Sequence, residues 1–139
     1  KIETWKSRHD ISLQWLREWQ SSAEIAREII NSDICLGIFG AGEKTQRVCP
    51  FKIYAYAAIG RPIITGATAW TRHVFGIAGE QAFETVPVAD AVALAERISR
   101  LADDISLRKS LSVCSRKFYE EKLSNNIANE QLAGCILSH

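Results

Sequence analysis

The sequence predicts an α/β fold in which helices cover both faces of a parallel sheet. Strand-like and helix-like segments alternate along the 139 residues, without an internal repeat. The apolar run from Ile34 to Phe39 is nearly continuous, which is typical of a strand buried on both faces. A second run, Arg61–Thr65, follows after one short helix. This order favours parallel strands joined by helical crossovers.

Composition and charge argue against several classes of protein. The length fits one domain, and the 47% apolar and 24% charged residues are those of an ordinary globular protein. A net charge of +1 without any block of Lys and Arg gives no basis for nucleic-acid binding. No apolar run approaches the length of a membrane span, and no signal peptide opens the chain. Because methionine is absent even at position 1, we expect a fragment of a longer protein.

The cysteines indicate a reducing environment. They are Cys35, Cys49, Cys114 and Cys135, widely spaced and without a CxxC pair. A reduced cytoplasmic chain explains this spacing better than a disulfide framework or a zinc site. We therefore predict a cytoplasmic protein with free thiols.

The N-terminal part is predicted to contain one strand and one helix. Alternating apolar and polar residues predict a strand over about residues 11–16. Ser21 and Ser22, followed by Glu24, indicate a helix start with a hydroxyl cap and an acid in the first turn, without the full capping-box spacing from Ser22. The apolar face of that helix is formed by Ile25, Ile29 and Ile30.

The loop after the first buried strand has the composition of an anion-binding loop. It runs from Gly40 to Arg47 and contains two glycines and two cations. Pro50 stands at a helix start, where its missing N–H costs nothing, and Gly60 ends that helix. A glycine-bearing loop that leads from a parallel strand into a helix N-terminus is where open α/β sheets bind anionic ligands.

The second half is predicted to be mainly helical. Helices are expected within residues 68–79, with Trp70, Val74 and Phe75 on the inner face, and again after Asp90, from Ser106 and from Asn125. A strand over Phe83–Val88 lies between the first two of them. It is placed at or near the sheet edge, because Pro87 cannot donate a hydrogen bond to a neighbouring strand.

From Asp33 onward the sequence resembles the nucleotide-sugar-binding half of group 1, family 4-like glycosyltransferases, enzymes of the two-lobed GT-B fold. The matching segments are the strand and loop start Ser32–Gly40, the helix start Pro50-Phe51-Lys52, the helix end and strand Ala57–Ile64, and the series that begins at Val86-Pro87. As an ordered series of elements the resemblance covers roughly residues 11–137. It implies a Rossmann-like lobe that holds the nucleoside diphosphate of a sugar donor.

The resemblance also implies a site. The diphosphate would lie over the helix N-terminus at Pro50, with cations bonding phosphate oxygens and glycines allowing close approach of the backbone. The implied nucleotide-sugar-binding residues are Gly40, Gly42, Lys44, Arg47, Pro50, Lys52 and Ala55. No metal or other cofactor is expected, and no residue set has the spacing of nucleophilic catalysis, so catalytic residues are not assigned.

Some positions depart from the family pattern. Ala55 stands where a ribose-binding Glu is usual, and Arg47 stands at the earlier Glu of the same pair. Ala67 and His73 stand where related subfamilies have an Asp and a Glu. Loss of the ribose carboxylate would weaken nucleoside binding by about 1.5–3 kcal/mol. Two alternatives to a working donor site therefore stay open: a degenerate, non-catalytic interaction module, and a nucleotide-sugar epimerase of the same two-lobed architecture.

The resemblance implies missing partners as well. The family's lobe begins with two strands that have no counterpart here, so the predicted strand at residues 11–16 would be the third. We expect this strand to pair directly with the next one, or another chain to fill the gap, which allows a homo-oligomer or strand exchange. The acceptor-binding N-terminal lobe is also absent, so the isolated chain is expected to be inactive. The Lys/Arg face of the helix from Ser106 leaves peripheral association with the inner membrane face as a further alternative.

Overall fold

The sheet is small and parallel. The computed structural model describes residues 12–48, 50–73 and 82–124 of the chain. Within them the strands are β1 (Cys35–Leu36), β2 (Ile63–Gly66) and β3 (Glu84–Val86), in that spatial order. The register pairs Leu36 with Ile64 and Thr65 with Thr85. The predicted α/β class with a parallel sheet is confirmed.

Helices connect the strands and cover them. The described residues form α1 (Ser22–Asn31), α2 (Glu43–Arg47), α3 (Phe51–Ile59), α4 (Ala91–Asp103) and α5 (Ile105–Phe118). The last of these continues into a π-helical turn over Tyr119–Leu123, and residues 69–73 are helical between β2 and β3. The short helix α2 lies within the segment that the sequence predicted as a loop.

Capping residues explain where α1, α3 and α4 begin or end. The Ser21 N–H donates to Glu24 Oε2 (2.7 Å), and the Glu24 N–H donates to Ser21 Oγ (3.3 Å), so a full capping box starts at Ser21 rather than Ser22. Pro50 is the N-cap of α3, and Gly60 ends that helix in the left-handed conformation at φ 76°, as predicted. The Asp90 side chain caps α4.

The helix α5 begins one residue earlier than the predicted start at Ser106. Asp104 ends α4 and also caps α5, since its Oδ1 accepts from the Leu107 N–H (2.8 Å). One aspartate at the junction therefore replaces the serine as the capping residue.

The strand predicted over residues 11–16 is wrong for residues 12–16, which form no strand, and Ile11 lies outside the described residues. Trp15 and Leu16 are 52% and 43% exposed. Alternation of apolar and polar residues produces a strand only where a neighbouring edge accepts its backbone hydrogen bonds. The expectation that this segment pairs directly with the next strand is therefore wrong too.

The first strand is shorter than the predicted Ile34–Phe39. After Gly37 the regular ladder ends, because the Ile38 N–H donates to Thr65 Oγ1 (3.3 Å), although the Ile38 carbonyl still accepts from the Gly66 N–H (2.8 Å). The third strand is also shorter than predicted, but it lies at the edge of the described sheet, as Pro87 suggested.

The core consists of two clusters, one on each face of the sheet. Ile63 and Ile64 are neighbours in β2 and therefore point to opposite faces. Buried residues of the first cluster are Ile53, Ala57, Ile63, Ala82, Phe83 and Phe118. Those of the second are Ile64, Val86, Leu101 and Leu111. Because α3 contributes to the first cluster and α4 packs on the second, helices cover both faces.

Other sequence predictions have mixed outcomes. Cys35 and Cys114 are free thiols. Val74, Phe75, Cys49, Cys135 and the helix expected from Asn125 lie outside the described residues. No helix in the described part of the chain is long and apolar enough to cross a bilayer.

Candidate functional site

The carboxyl ends of the three strands meet at one edge of the sheet, where hydrogen bonds fix the loops. The Gly66 N–H donates to the Ile38 carbonyl (2.8 Å), and the Ala67 N–H donates to the Val86 carbonyl (2.8 Å). The Ala89 N–H donates to the Phe39 carbonyl (2.7 Å). This edge is therefore a connected backbone framework, and the loop that begins at Gly40 follows directly from it.

The loop from Gly40 and the helix α2 are folded against each other. A Cβ on Gly40 would lie 3.2 Å from Thr45 Oγ1, and a Cβ on Gly42 would lie 4.0 Å from the same atom. The Gln46 side chain accepts a hydrogen bond from the Ala69 N–H (3.0 Å) and so ties α2 to the next loop. The missing side chain of Gly40 thus makes room for Thr45.

The two cations of this segment are exposed on α2. Arg47 Nη2 lies 3.1 Å from Glu43 Oε1, and both side chains are largely exposed. Lys44 is exposed one turn earlier. Neither Lys44 nor Arg47 lines the groove in which other predicted site residues meet, although both belong to the loop that follows β1.

A groove of about 640 Å³ lies between α1, α3 and the open edge of β1. Its walls are mainly apolar and include Ile25, Ile29, Leu36, Phe51, Tyr56 and Ile59. Lys52 and Ala55 also line it, three residues apart on one face of α3. Of the seven predicted binding residues, the groove brings together these two and lies next to Pro50, which caps the same helix.

Lys52 is the most unusual charged residue of the groove. Its side chain is partly buried, and this burial lowers the pKa of its ammonium group from 10.5. In the described ranges no carboxylate forms an ion pair with it. It also stands in the first turn of α3, where the helix dipole disfavours a cation and where the N-cap residue, Pro50, makes no side-chain hydrogen bond to the first N–H groups. This arrangement favours an anionic ligand.

The thiol of Cys35, which lines the groove, is not suited to nucleophilic chemistry. Burial raises the pKa of Cys35 to about 11, with a smaller opposing effect from the Arg61 charge. Burial likewise raises the pKa of Tyr56, and the nearby Cys35 adds to that shift. Both groups are neutral at pH 7. Among the described residues that line the groove, Lys52 is therefore the only cation, and neither Cys35 nor Tyr56 is an activated nucleophile.

The positions that depart from the family pattern lie beside the framework. Ala67 follows β2 directly, and the Arg72 guanidinium donates to its carbonyl (2.9 Å). His73 is exposed. Neither Ala67 nor His73 lines the groove, whereas Ala55 does. A Glu side chain at position 55 would therefore stand within the groove.

The basic face of α5 is partly used inside the fold. Arg108 donates to the carbonyls of Leu101 (2.6 Å) and Ala102 (2.7 Å), which lie at the end of α4. Arg116 donates to the Ala58 carbonyl at the end of α3 and to Glu120 Oε1 (2.7 Å). Arg108 and Arg116 therefore close the ends of other helices, a role that their sequence spacing does not reveal.

The described residues contain no cluster of three or more His, Cys, Asp or Glu side chains that could hold a metal ion. No family model matches this chain, and no curated protein matches it either.

Proposed function

We propose that the chain is a nucleoside-diphosphate-binding domain, equivalent to the Rossmann-like lobe that holds a nucleotide sugar in GT-B glycosyltransferases. One observation carries the proposal: Lys52 is a partly buried cation without an acidic partner among the described residues, in the first turn of α3. A diphosphate beside Lys52 would stabilise its ammonium group and accept from the N–H groups of the same turn. The resemblance around Pro50-Phe51-Lys52 supplies the chemical class of the anion.

The groove supports the nucleoside part of the ligand. Its volume of about 640 Å³ falls within the usual range of small-molecule pockets, roughly 300–1,000 Å³. It continues from Lys52 past Ala55 to Tyr56. We place the diphosphate at Lys52 and the nucleoside along α3, with the ribose near Ala55. This orientation puts the ribose at the position where the family's carboxylate would bind its hydroxyls.

Arg47 lies on α2 outside the groove, and we propose it as a second phosphate ligand that would approach the diphosphate from that side. Its pairing with Glu43 is an exposed contact between residues four apart on a helix. Such pairs contribute only about 0.3–0.5 kcal/mol, so a phosphate can replace the carboxylate at little cost. Lys44, exposed on the same helix, adds positive charge to this side of the site.

In glycosyl transfer, Lys52 and the N-terminus of α3 would stabilise the charge that develops on the departing diphosphate. The acceptor and the remaining catalytic groups would come from a second lobe. The chain alone is therefore proposed to bind the donor without transferring the sugar. The free thiols Cys35 and Cys114 support a reducing compartment, and we propose the cytoplasm.

The test is a titration of the chain with UDP, GDP and ADP, followed by backbone amide NMR. We expect shifts concentrated over residues 50–55 for one of the nucleotides. Lys52→Met should weaken that binding roughly 10- to 100-fold, because it removes a charge-assisted hydrogen bond worth about 1.5–3 kcal/mol. Lys117→Met is the matched control, since Lys117 is exposed on α5 and faces Glu121 (3.7 Å). It should leave the affinity unchanged.

Restoring the family carboxylate tests the placement of the ribose. Ala55→Glu should strengthen binding, whereas the neutral control Ala55→Gln should gain much less. A folded chain that binds none of the three nucleotides, or a Lys52→Met variant with unchanged affinity, would contradict the proposed function.

A non-catalytic interaction module is the second candidate. It is favoured by Ala55 in place of a ligand-binding carboxylate and by exposed apolar side chains near the groove, such as Phe51 at 85%. In that case Ala55→Glu would fail to create nucleotide affinity.

A further inference from the structure

The outer edge of β1 carries backbone groups that the sheet does not use. The Cys35 and Gly37 N–H groups donate to the carbonyls of Pro62 (2.9 Å) and Ile64 (2.8 Å), so these alternate residues face β2. Along an extended strand the intervening residues point the other way. Leu36 therefore directs its N–H and C=O groups away from β2, where no described strand lies, and Ile34 lies at a bend directly before the strand.

The groove runs along this same edge. Leu36, Ile25 and Phe51 line it and are 38%, 47% and 85% exposed, respectively. An unpaired strand edge beside exposed apolar side chains is the usual template for adding another strand. The described residues that precede α1 do not fill this place, since residues 12–20 form no strand.

The charges of the groove identify the partner that fits. Three residues separate the end of α3 from the start of β2, and α3 has nine residues, about 13 Å of helix. Lys52 in its first turn therefore lies toward the carboxyl end of β1. Glu28, in the last turn of α1, lies toward the amino end, because α1 leads directly into β1. Glu28 lines the groove and forms no ion pair with a described residue.

We propose that the open edge of β1 pairs with β1 of a second copy of this chain, antiparallel and about a two-fold axis near Cys35. In that arrangement Ile34 of each copy lies opposite Leu36 of the other, and each such pair exchanges two N–H···O bonds. The two-fold axis also brings the Lys52 end of each groove to the Glu28 end of the other. The three strands of each copy become a continuous six-stranded sheet.

The test is sedimentation velocity from micromolar to submillimolar concentration. Both proposals use Lys52, so the experiment is run without nucleotide and its outcome is independent of the proposed function. We expect a concentration-dependent dimer. Leu36→Pro should abolish the dimer, because it removes an outward N–H that β2 does not use, whereas the control Leu36→Ala keeps the N–H and should still dimerise.

A charge exchange tests the antiparallel orientation without relying on a proline. Lys52→Glu should weaken the dimer roughly tenfold or more by facing Glu28 of the second copy, and the double variant with Glu28→Lys should restore it. If Leu36→Pro fails to fold, this pair of variants decides the question. Any of three results would overturn the proposal. They are a chain that stays monomeric at every concentration, a folded Leu36→Pro variant that dimerises normally, and a double variant that dimerises no more tightly than Lys52→Glu.

Discussion

Replacing Gly66 by alanine should destabilise the chain strongly, because Gly66 lies where three backbone segments meet. Its Cβ would stand 2.7 Å from the Ile38 carbonyl oxygen and 3.1 Å from Val88 Cγ1. The Ile38 carbonyl cannot move freely, since it already accepts from the Gly66 N–H at 2.8 Å. Relief of the overlap would strain the loop and weaken that hydrogen bond. Overpacking costs about 1–3 kcal/mol and a lost hydrogen bond about 1 kcal/mol, so we expect the free energy of unfolding to fall by about 2–4 kcal/mol.

Gly42→Ala is the matched control for this prediction. Among the described residues its Cβ would meet only Thr45 Oγ1, at 4.0 Å, and its φ of −63° suits any residue. The stability should therefore stay within about 1 kcal/mol of the wild type. Urea denaturation followed by circular dichroism measures both variants, and an unchanged m-value would show that the transitions are comparable. A Gly66→Ala variant as stable as Gly42→Ala would refute the tight carboxyl edge described here.

Three smaller changes test other parts of the fold. Ser115 is fully buried and its hydroxyl has no partner among the described residues, so Ser115→Ala should stabilise the chain by about 1 kcal/mol in the same denaturation assay. Arg97 Nη1 lies 2.6 Å from Glu84 Oε2 in a mostly buried pair. Arg97→Ala should lower the free energy of unfolding by about 1.5–3 kcal/mol, and an unchanged value would mean that this pair does not contribute to stability. Hydrogen bonds from the Ser21 side chain and backbone lower the pKa of Glu24 from 4.5. The capping box therefore stabilises α1 fully above pH 4.5, and this stabilisation is lost as the pH falls through the lowered pKa. Amide hydrogen exchange in the first turn of α1 should become faster as this stabilisation is lost. Glu24→Gln should remove the pH dependence of this stabilisation.

Residues that act on their own backbone predicted the helices and strands of this chain better than patterns that depend on a neighbouring strand or a distant side chain. Pro50 and Gly60 fix the ends of α3 through their own backbone geometry, so their positions could be read from the sequence. The segment at residues 11–16 had only alternation in its favour, and alternation requires a neighbouring strand. The extent of β1 depended on the Thr65 hydroxyl, a contact that spans 27 residues and leaves no local pattern.

The candidate site divides in the same way. Lys52 and Ala55 are three residues apart on a helix, so their common face followed from helical periodicity. The packing of Thr45 against Gly40 could not be predicted from the sequence, because a glycine pattern is equally compatible with a ligand and with a neighbouring side chain. The role of α1 as a groove wall was also missed. Its apolar face was visible in the sequence, but what that face contacts depends on the tertiary fold.

Lys52 allows a final prediction that separates a functional residue from a structural one. Burial lowers its pKa in the folded chain below the unfolded value of 10.5, so the folded state disfavours the charge at neutral pH. The unfolded chain binds more protons between the lowered pKa and 10.5, so the penalty fades as pH rises through that window. Lys52→Met should therefore raise the melting temperature at pH 7, and the gain should shrink as pH approaches 10.5. Thermal denaturation of both proteins across this pH range measures the difference in melting temperature.

A residue kept only for stability would give the opposite sign at pH 7, since its removal would lower the melting temperature. A stabilised Lys52→Met variant that has also lost nucleotide affinity would mean that this partly buried charge is retained for its ligand.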